Sequence, residues 1–184
     1  MNRLQIACEQ RMAICNRADQ NALMETAVFY YLLYTGLRES ELAALNMDQY
    51  HSRGFHNIKR KGNKITKKVS LSSEAKDWLD KYLEEREGEV KNNDPLFITR
   101  YGNRIHRTDI YRLTQRICNQ ANSNGDEIWL SPHMLRHSFL KKVADKHGIH
   151  TAQEMSRNIF IKEIFRYTKP SQEEKIRLRR KFSE

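Results

Sequence analysis

Cysteine is scarce in this chain of 184 residues: Cys8, Cys15 and Cys118 are the only three. They are odd in number and none belongs to a Cys-x-x-Cys pair. That excludes a disulfide framework or a thiolate zinc site and fits reduced thiols in a cytoplasmic setting. Long hydrophobic runs are missing too. Nothing approaches the ~20 apolar residues needed to cross a bilayer, and the first residues lack the apolar core of a signal peptide. No carboxylate cluster offers a magnesium site, so no metal is expected. Internal repeats, low-complexity segments and linkers are also absent. The length suits one domain with a real core, expected over residues 1–184, with the core reaching about residue 170 and a basic helix or tail over 171–184.

Positive charge is what the chain has in excess. Lys and Arg number 33 against 23 Asp and Glu, a formal net charge of +10. That balance points to a polyanionic partner, with DNA or RNA the first candidates. A basic surface kept for solubility is the plainer alternative.

The patterning predicts mainly helices with one small antiparallel sheet, an α+β chain. Residues 1–20 read as a helix with Leu4, Cys8, Met12 and Cys15 on one face. Ala22 to Tyr34 is mostly apolar and reads as a buried helix that Gly36 ends. A tight turn then leads into a helix with Arg38 at its start and Glu41 three residues on, a spacing that also fits an ordinary solvated ion pair. Phe55–Arg60 and Ile65–Leu71 read as a hairpin, with Lys61-Gly62-Asn63-Lys64 as its turn. Lys59, Arg60, Lys61, Lys64, Lys67 and Lys68 crowd into ten residues. They describe either a solvated face or a finger aimed at a phosphate backbone. Ser72 and Ser73 cap an amphipathic helix whose stripe is Ala75, Trp78, Leu79, Tyr82 and Leu83. Thr108 is expected to cap the next helix, with Ile110, Leu113, Ile117 and Ala121 inward and Arg107, Arg112 and Arg116 outward. Thr151-Ala152-Gln153-Glu154 and Ser171-Gln172-Glu173-Glu174 have the form of capping boxes.

One stretch organises the rest, Ser131-Pro132-His133-Met134-Leu135-Arg136-His137. Ser131 suits an N-cap and Pro132 the first helical position. His133 and Arg136 then project from one face of the first turn, where exposed amides already favour an anion. Together they describe a phosphate site. His133 and His137 are four apart and could read as half a zinc site, but no third ligand is evident.

Taken in order, these motifs become specific. Thr-Gly-Leu-Arg-x-x-Glu-Leu at 35–42, the lysine-rich hairpin, His133-x-x-Arg136-His137 and a tyrosine roughly thirty residues later resemble the catalytic domain of the tyrosine recombinases, the family of phage integrases, Xer proteins and Cre. The resemblance covers about residues 20 to 175. It implies the DNA breaking-rejoining fold, and it implies that the N-terminal core-binding domain usually found ahead of it is absent from this chain. Arg38 and Arg136 match the arginines that hold the scissile phosphate, and Glu41 the acidic residue that supports them. Lys61 matches the hairpin lysine, His133 the histidine of the His-x-x-Arg motif, and Tyr167 the nucleophile. His137 is expected to pack or bond locally beside Arg136. Asn158 departs from the pattern, standing where the family usually has His or Trp. It can donate a hydrogen bond but cannot carry charge.

What the resemblance implies for function is a site-specific recombinase or integrase working through a 3′-phosphotyrosine, with no cofactor, on double-stranded DNA. Other protomers would assemble on that DNA, in a synapse of four. A bacterial, phage or mobile-element setting follows. A catalytically impaired DNA-binding protein on the same fold and a type IB topoisomerase-like strand transferase are the alternatives.

Overall fold

The computed structural model describes residues 2–14, 21–51, 54–60, 64–86, 94–123 and 127–156. In chain order the elements are α1 (Asn2–Ile14), α2 (Asn21–Thr35), α3 (Glu39–Ala43), a 3-10 turn (Met47–Gln49), β1 (Tyr50–His51), β2 (Gly54–Arg60), β3 (Lys64–Ser70), α4 (Ser73–Glu85), α5 (Arg107–Asn122), α6 (Pro132–His147) and α7 (Ile149–Ser156). Two compact units divide the chain, Met1–Arg136 and His137–Glu184.

The first unit is built around α2. Ala27, Val28, Phe29, Tyr30, Tyr31 and Leu32 are all buried, so this helix is apolar all round, as expected of one with neighbours on every side. It packs on α1, α4 and α5. The sheet joins the same core through Phe55, whose ring meets Tyr31 edge-on at 5.0 Å. Tyr82 of α4 stacks on Phe97 at 5.6 Å, and its hydroxyl accepts from the Ile98 amide at 3.1 Å. A carboxylate of α2 is also buried there. Glu25 of α2 is 2% exposed and pairs with Arg11 of α1 at 2.7 Å and with Arg116 of α5 through Nε at 2.9 Å. A buried charge is tolerable only when partnered in this way. Arg116 lies on the outer face of α5 as expected and is exposed, and its guanidinium reaches Glu25 from there. Cys8 and Cys118 are free and buried, and burial pushes the Cys8 thiol up to about 12. Cys15 lies outside the described residues.

The sheet is antiparallel in the order β1-β2-β3. The hairpin matches the expected strands to within a residue, while β1 adds a short third strand through Tyr50↔Phe55 and His51↔Gly54. Phe55 and Ile58 are both inside, at 0% and 1% exposure, although residues three apart on a regular strand face opposite ways. Asn57 between them resolves the conflict with a φ of 52°. Asn is among the few residues that enter the left-handed region readily. The side chain of Gln49 donates to the Asn57 carbonyl at 2.8 Å and holds the twist.

Helix starts differ from expectation at two places. Thr108 does not cap α5. The helix begins at Arg107, because the Asp109 carboxylate accepts from the His106 amide at 2.8 Å and closes the turn two residues earlier. Thr151 lies inside α7, its hydroxyl donating back to the His147 carbonyl at 2.8 Å. In the second unit Gly148, with φ 85°, makes the break between α6 and α7. Val143 and Ala152 are buried there, with Phe139, Ala144 and Ile149 packed against them. The expected helix at 171–184 lies outside the described residues. No helix among the described residues is long and apolar enough to cross a membrane.

The twist at Asn57 is open to test. Asn57→Val should lower the unfolding free energy by about 1–2 kcal/mol, the cost of a β-branched residue in the left-handed region, whereas Asn57→Gly should be close to neutral. Urea denaturation of the three proteins measures both.

Candidate active site

The site begins where α2 stops. Gly36 has a φ of 62°, a conformation that a side chain would disfavour, and it turns the chain out of the helix. Thr35 secures the turn: its hydroxyl donates to the Tyr31 carbonyl at 2.7 Å and accepts from the Leu37 amide at 3.2 Å. Arg38 then takes the N-cap position of α3. The buried Glu41 carboxylate uses both oxygens on it. One accepts from the Arg38 amide at 3.0 Å and the other from the Arg38 guanidinium at 3.2 Å. Glu41 is therefore no solvated partner. It is 4% exposed against 38% for Arg38, so it fixes the base of an arginine whose head reaches the surface.

Arg136 arrives at the same turn from α6. It is 3% exposed, and its guanidinium donates to the Gly36 carbonyl. The two arginines, 98 positions apart in sequence, are thereby rooted within three residues, 36 to 38. Ser131 caps α6 as expected, its hydroxyl accepting from the Met134 amide at 3.3 Å. His133 is exposed in that first turn, one turn before Arg136. Arg38, Glu41, His133 and Arg136 all belong to the first compact unit, and His137 falls in the second.

Lys59, Lys67 and Lys68 are exposed on β2 and β3, and Arg60 and Lys64 stand opposite each other at the end of the ladder. A cleft of about 300 Å³ lies between α3 and the base of this hairpin, lined by Glu41, Asn46, Asp48, Gln49, His56 and Lys59 among others. Lys61, Asn158 and Tyr167 lie outside the described residues. Among the described residues no group of three or more His, Cys, Asp or Glu could hold a metal, so His133 and His137 gain no third ligand there.

Two residues that sequence reasoning missed support α3. Arg107 pairs with Glu39 at 2.6 Å. Arg104 donates to the Ala43 and Leu45 carbonyls at 3.1 and 2.9 Å and to the Asn46 side chain at 2.5 Å. No local pattern announces either, because the partners lie 59 and 68 residues away. Chemically the arrangement offers a buried and a half-exposed guanidinium at one turn, with a histidine at the first turn of a long helix. That set suits a tetrahedral anion.

The model of the phage integrase family matches residues 5–174. The chain belongs to that family. Its relatives include the tyrosine recombinase XerD of Lacticaseibacillus casei, 32% identical over 127 residues that make up 67% of this chain and 42% of that protein. The XerD of Oceanobacillus iheyensis is 39% identical over 114 residues, 59% of this chain and 37% of that one. The tyrosine recombinase XerC of Vibrio vulnificus is 31% identical over 144 residues, 76% of this chain and 44% of that one. The integrase-family chain thus spans less than half the length of these relatives. Among solved structures, XerH bound to a palindromic difH substrate in a post-cleavage complex superposes with a TM-score of 0.79 at 22% identity, over 100% of this chain and 51% of that one. XerA recombinase gives 0.74 at 22% identity, over 98% and 60%. The fold is that of the tyrosine recombinase catalytic domain.

The Arg136 bond yields a stability prediction. Arg136→Met leaves the Gly36 carbonyl without its buried donor and should cost about 1–3 kcal/mol, read as a lowered urea midpoint with an unchanged slope.

Proposed function

We propose that this chain is the catalytic domain of a site-specific DNA recombinase or integrase. The observation that carries the proposal is the convergence of Arg38 and Arg136 on the Gly36 turn, with Glu41 buried beneath one of them and His133 exposed a turn before the other. The three relatives named above, each a tyrosine recombinase, support it.

In this reading the two guanidiniums clamp the non-bridging oxygens of a scissile phosphate and stabilise the charge that builds on them. The Tyr167 phenol gives up its proton, with His133 placed to take it or to bond the phosphate. The phenolic oxygen bonds to phosphorus as the bond from phosphorus to the 5′ oxygen breaks. Lys61 protonates that leaving oxygen. A 3′-phosphotyrosine and a free 5′-hydroxyl result, so the energy of the phosphodiester is kept without ATP or a metal. Attack by a 5′-hydroxyl from a partner strand reverses the step and releases the tyrosine. Lys59, Arg60, Lys64, Lys67 and Lys68 face the DNA backbone, and His137 steadies the segment beside Arg136. The substrate is duplex DNA, on which four protomers assemble, in a cytoplasmic bacterial, phage or mobile-element setting.

One residue favours a second reading. Asn158 replaces the family's usual imidazole or indole, and a chain that binds DNA on this fold without cutting it would tolerate that change.

Covalent trapping separates the two. With a pool of nicked duplexes of randomised sequence, the wild-type chain should give an adduct that survives detergent, and Tyr167→Phe should give none while still binding the duplex. Asn158→His should hold or raise the rate of adduct formation. Asn158→Ala should lower it by up to about 10²–10³, the usual cost of one oxyanion donor. DNA binding without any adduct from a chain with Tyr167 intact would establish the non-catalytic reading. An adduct formed by Tyr167→Phe would overturn the assignment of the nucleophile.

Binding itself should weaken steeply with salt. Each neutralised phosphate contributes a slope of about −0.9 in log affinity against log salt concentration, so a titration of duplex binding across salt counts the contacts. A flat response would remove the basic hairpin from the interface.

A further inference from the structure

We propose that Arg104 is a positioning residue of the cleavage site, holding the short helix that carries Arg38 and Glu41; the inference rests on the recombinase reading. Helix α3 has only five residues, far too few to be stable alone. Its orientation must come from its surroundings. At its N-terminal end Arg38 and Glu41 bond each other, which organises the turn, and Glu39 pairs with Arg107 of α5. At its C-terminal end the last carbonyls of a helix have no partners within it. Arg104 supplies a partner for the Ala43 carbonyl and for the segment just beyond it. One nitrogen bridges the Ala43 and Leu45 carbonyls and another reaches the Asn46 side chain. A cation at this end also meets the negative pole of the helix.

The base of Arg104 is itself fixed. Ile98 and Arg104 form a bridge, the Thr99 amide donates to the Asn103 carbonyl at 2.7 Å, and the buried Ile105 donates to the Phe97 carbonyl at 3.2 Å. Just ahead of this loop, the Leu96 amide donates to Leu45 and the Met47 amide to Asp94, each at 2.9 Å. The exit of α3 is therefore tied to the 94–105 segment by main-chain bonds and clamped by one planar side chain. The connection back to Arg38 is short. Leu45 donates to the Leu42 carbonyl at 3.2 Å, and Leu42 to the Arg38 carbonyl at 2.9 Å. Release of the clamp frees the C-terminal end of α3 and, through those two bonds, the seat of Arg38.

The test compares Arg104→Met and Arg104→Lys with a control, Arg3→Met. Arg3 also donates to a carbonyl near a helix end, that of Ala121 at 2.9 Å, but it does not touch α3. Adduct formation is followed at saturating DNA with the randomised nicked duplexes. A misplacement near 1 Å slows chemistry by about 10²-fold, so Arg104→Met should be slower by at least about 30-fold on that scale, with duplex affinity within about threefold. Arg104→Lys should fall between, and Arg3→Met should react at the wild-type rate. Because Arg104 acts through Arg38, the double variant Arg38→Ala/Arg104→Met should be no slower than Arg38→Ala alone. Native-state hydrogen exchange supplies an arm that needs no activity. Amides of residues 37–46 should exchange at least about tenfold faster in Arg104→Met, with the rest of the chain unchanged. A wild-type rate for Arg104→Met, an equal slowing by Arg3→Met, multiplying effects in the double variant, or unchanged exchange at 37–46 would each overturn the proposal. If the wild-type chain forms no adduct, the recombinase reading falls and the exchange arm alone decides the role of Arg104.

Discussion

The Gly36 carbonyl is where the two halves of the basic site are joined. It is presented to Arg136 because a residue without a side chain lets the backbone leave α2 in a left-handed turn. The other features of the site follow from that direction of exit. Thr35 closes the turn, Arg38 falls at the N-cap of α3, and Glu41 comes round beneath it. The buried Arg136 guanidinium needs acceptors around it, and the Gly36 carbonyl supplies one of them and helps set where it sits. A converging pair of guanidiniums is obtained from one turn, one carboxylate and one helix.

Part of the chain's basicity is engaged in bonds within the protein. Arg3, Arg86, Arg104 and Arg136 all donate to main-chain carbonyls. Arg11 and Arg116 close on Glu25, and Arg107 on Glu39. A guanidinium suits these places because its flat fork satisfies several acceptors at once and never loses its proton. Lys59, Lys67 and Lys68 of the hairpin are instead exposed. The division of labour follows the chemistry: arginine where geometry must be fixed, lysine where a point charge in solvent is enough.

What could be read from the sequence was whatever repeats over a short distance. The stripe Ala75, Leu79 and Tyr82 is buried as its spacing requires, and Ile110, Leu113, Ile117 and Ala121 line the inner face of α5. Ser131 caps α6, and the hairpin falls within a residue of its expected limits. Within the site, Arg38, Glu41 and Arg136 were legible because each belongs to a motif a few residues long. Features set by distant partners were not. Asn57 adopts its twist because Phe55 and Ile58 must both reach the core, and Gln49, eight positions away, holds the result. Arg116 is exposed as its helical position suggests, but its pairing with the buried Glu25, 91 positions away, was not readable. Arg104 had no visible role until α3 was placed beside it. At the two misjudged helix starts a nearer competitor won: Asp109 for the first turn of α5, and a back-bonding hydroxyl at Thr151.

The bond between Arg136 and Gly36 spans 100 positions of the chain, and that separation has a consequence during synthesis. Ribosomes add roughly 5–20 residues per second, so the Gly36 turn emerges several seconds before its partner has been made. During that interval the nascent chain comes to carry Arg38 and its lysine hairpin while Arg136 is still missing. The pair that would grip a phosphate is completed only after most of the chain has left the ribosome.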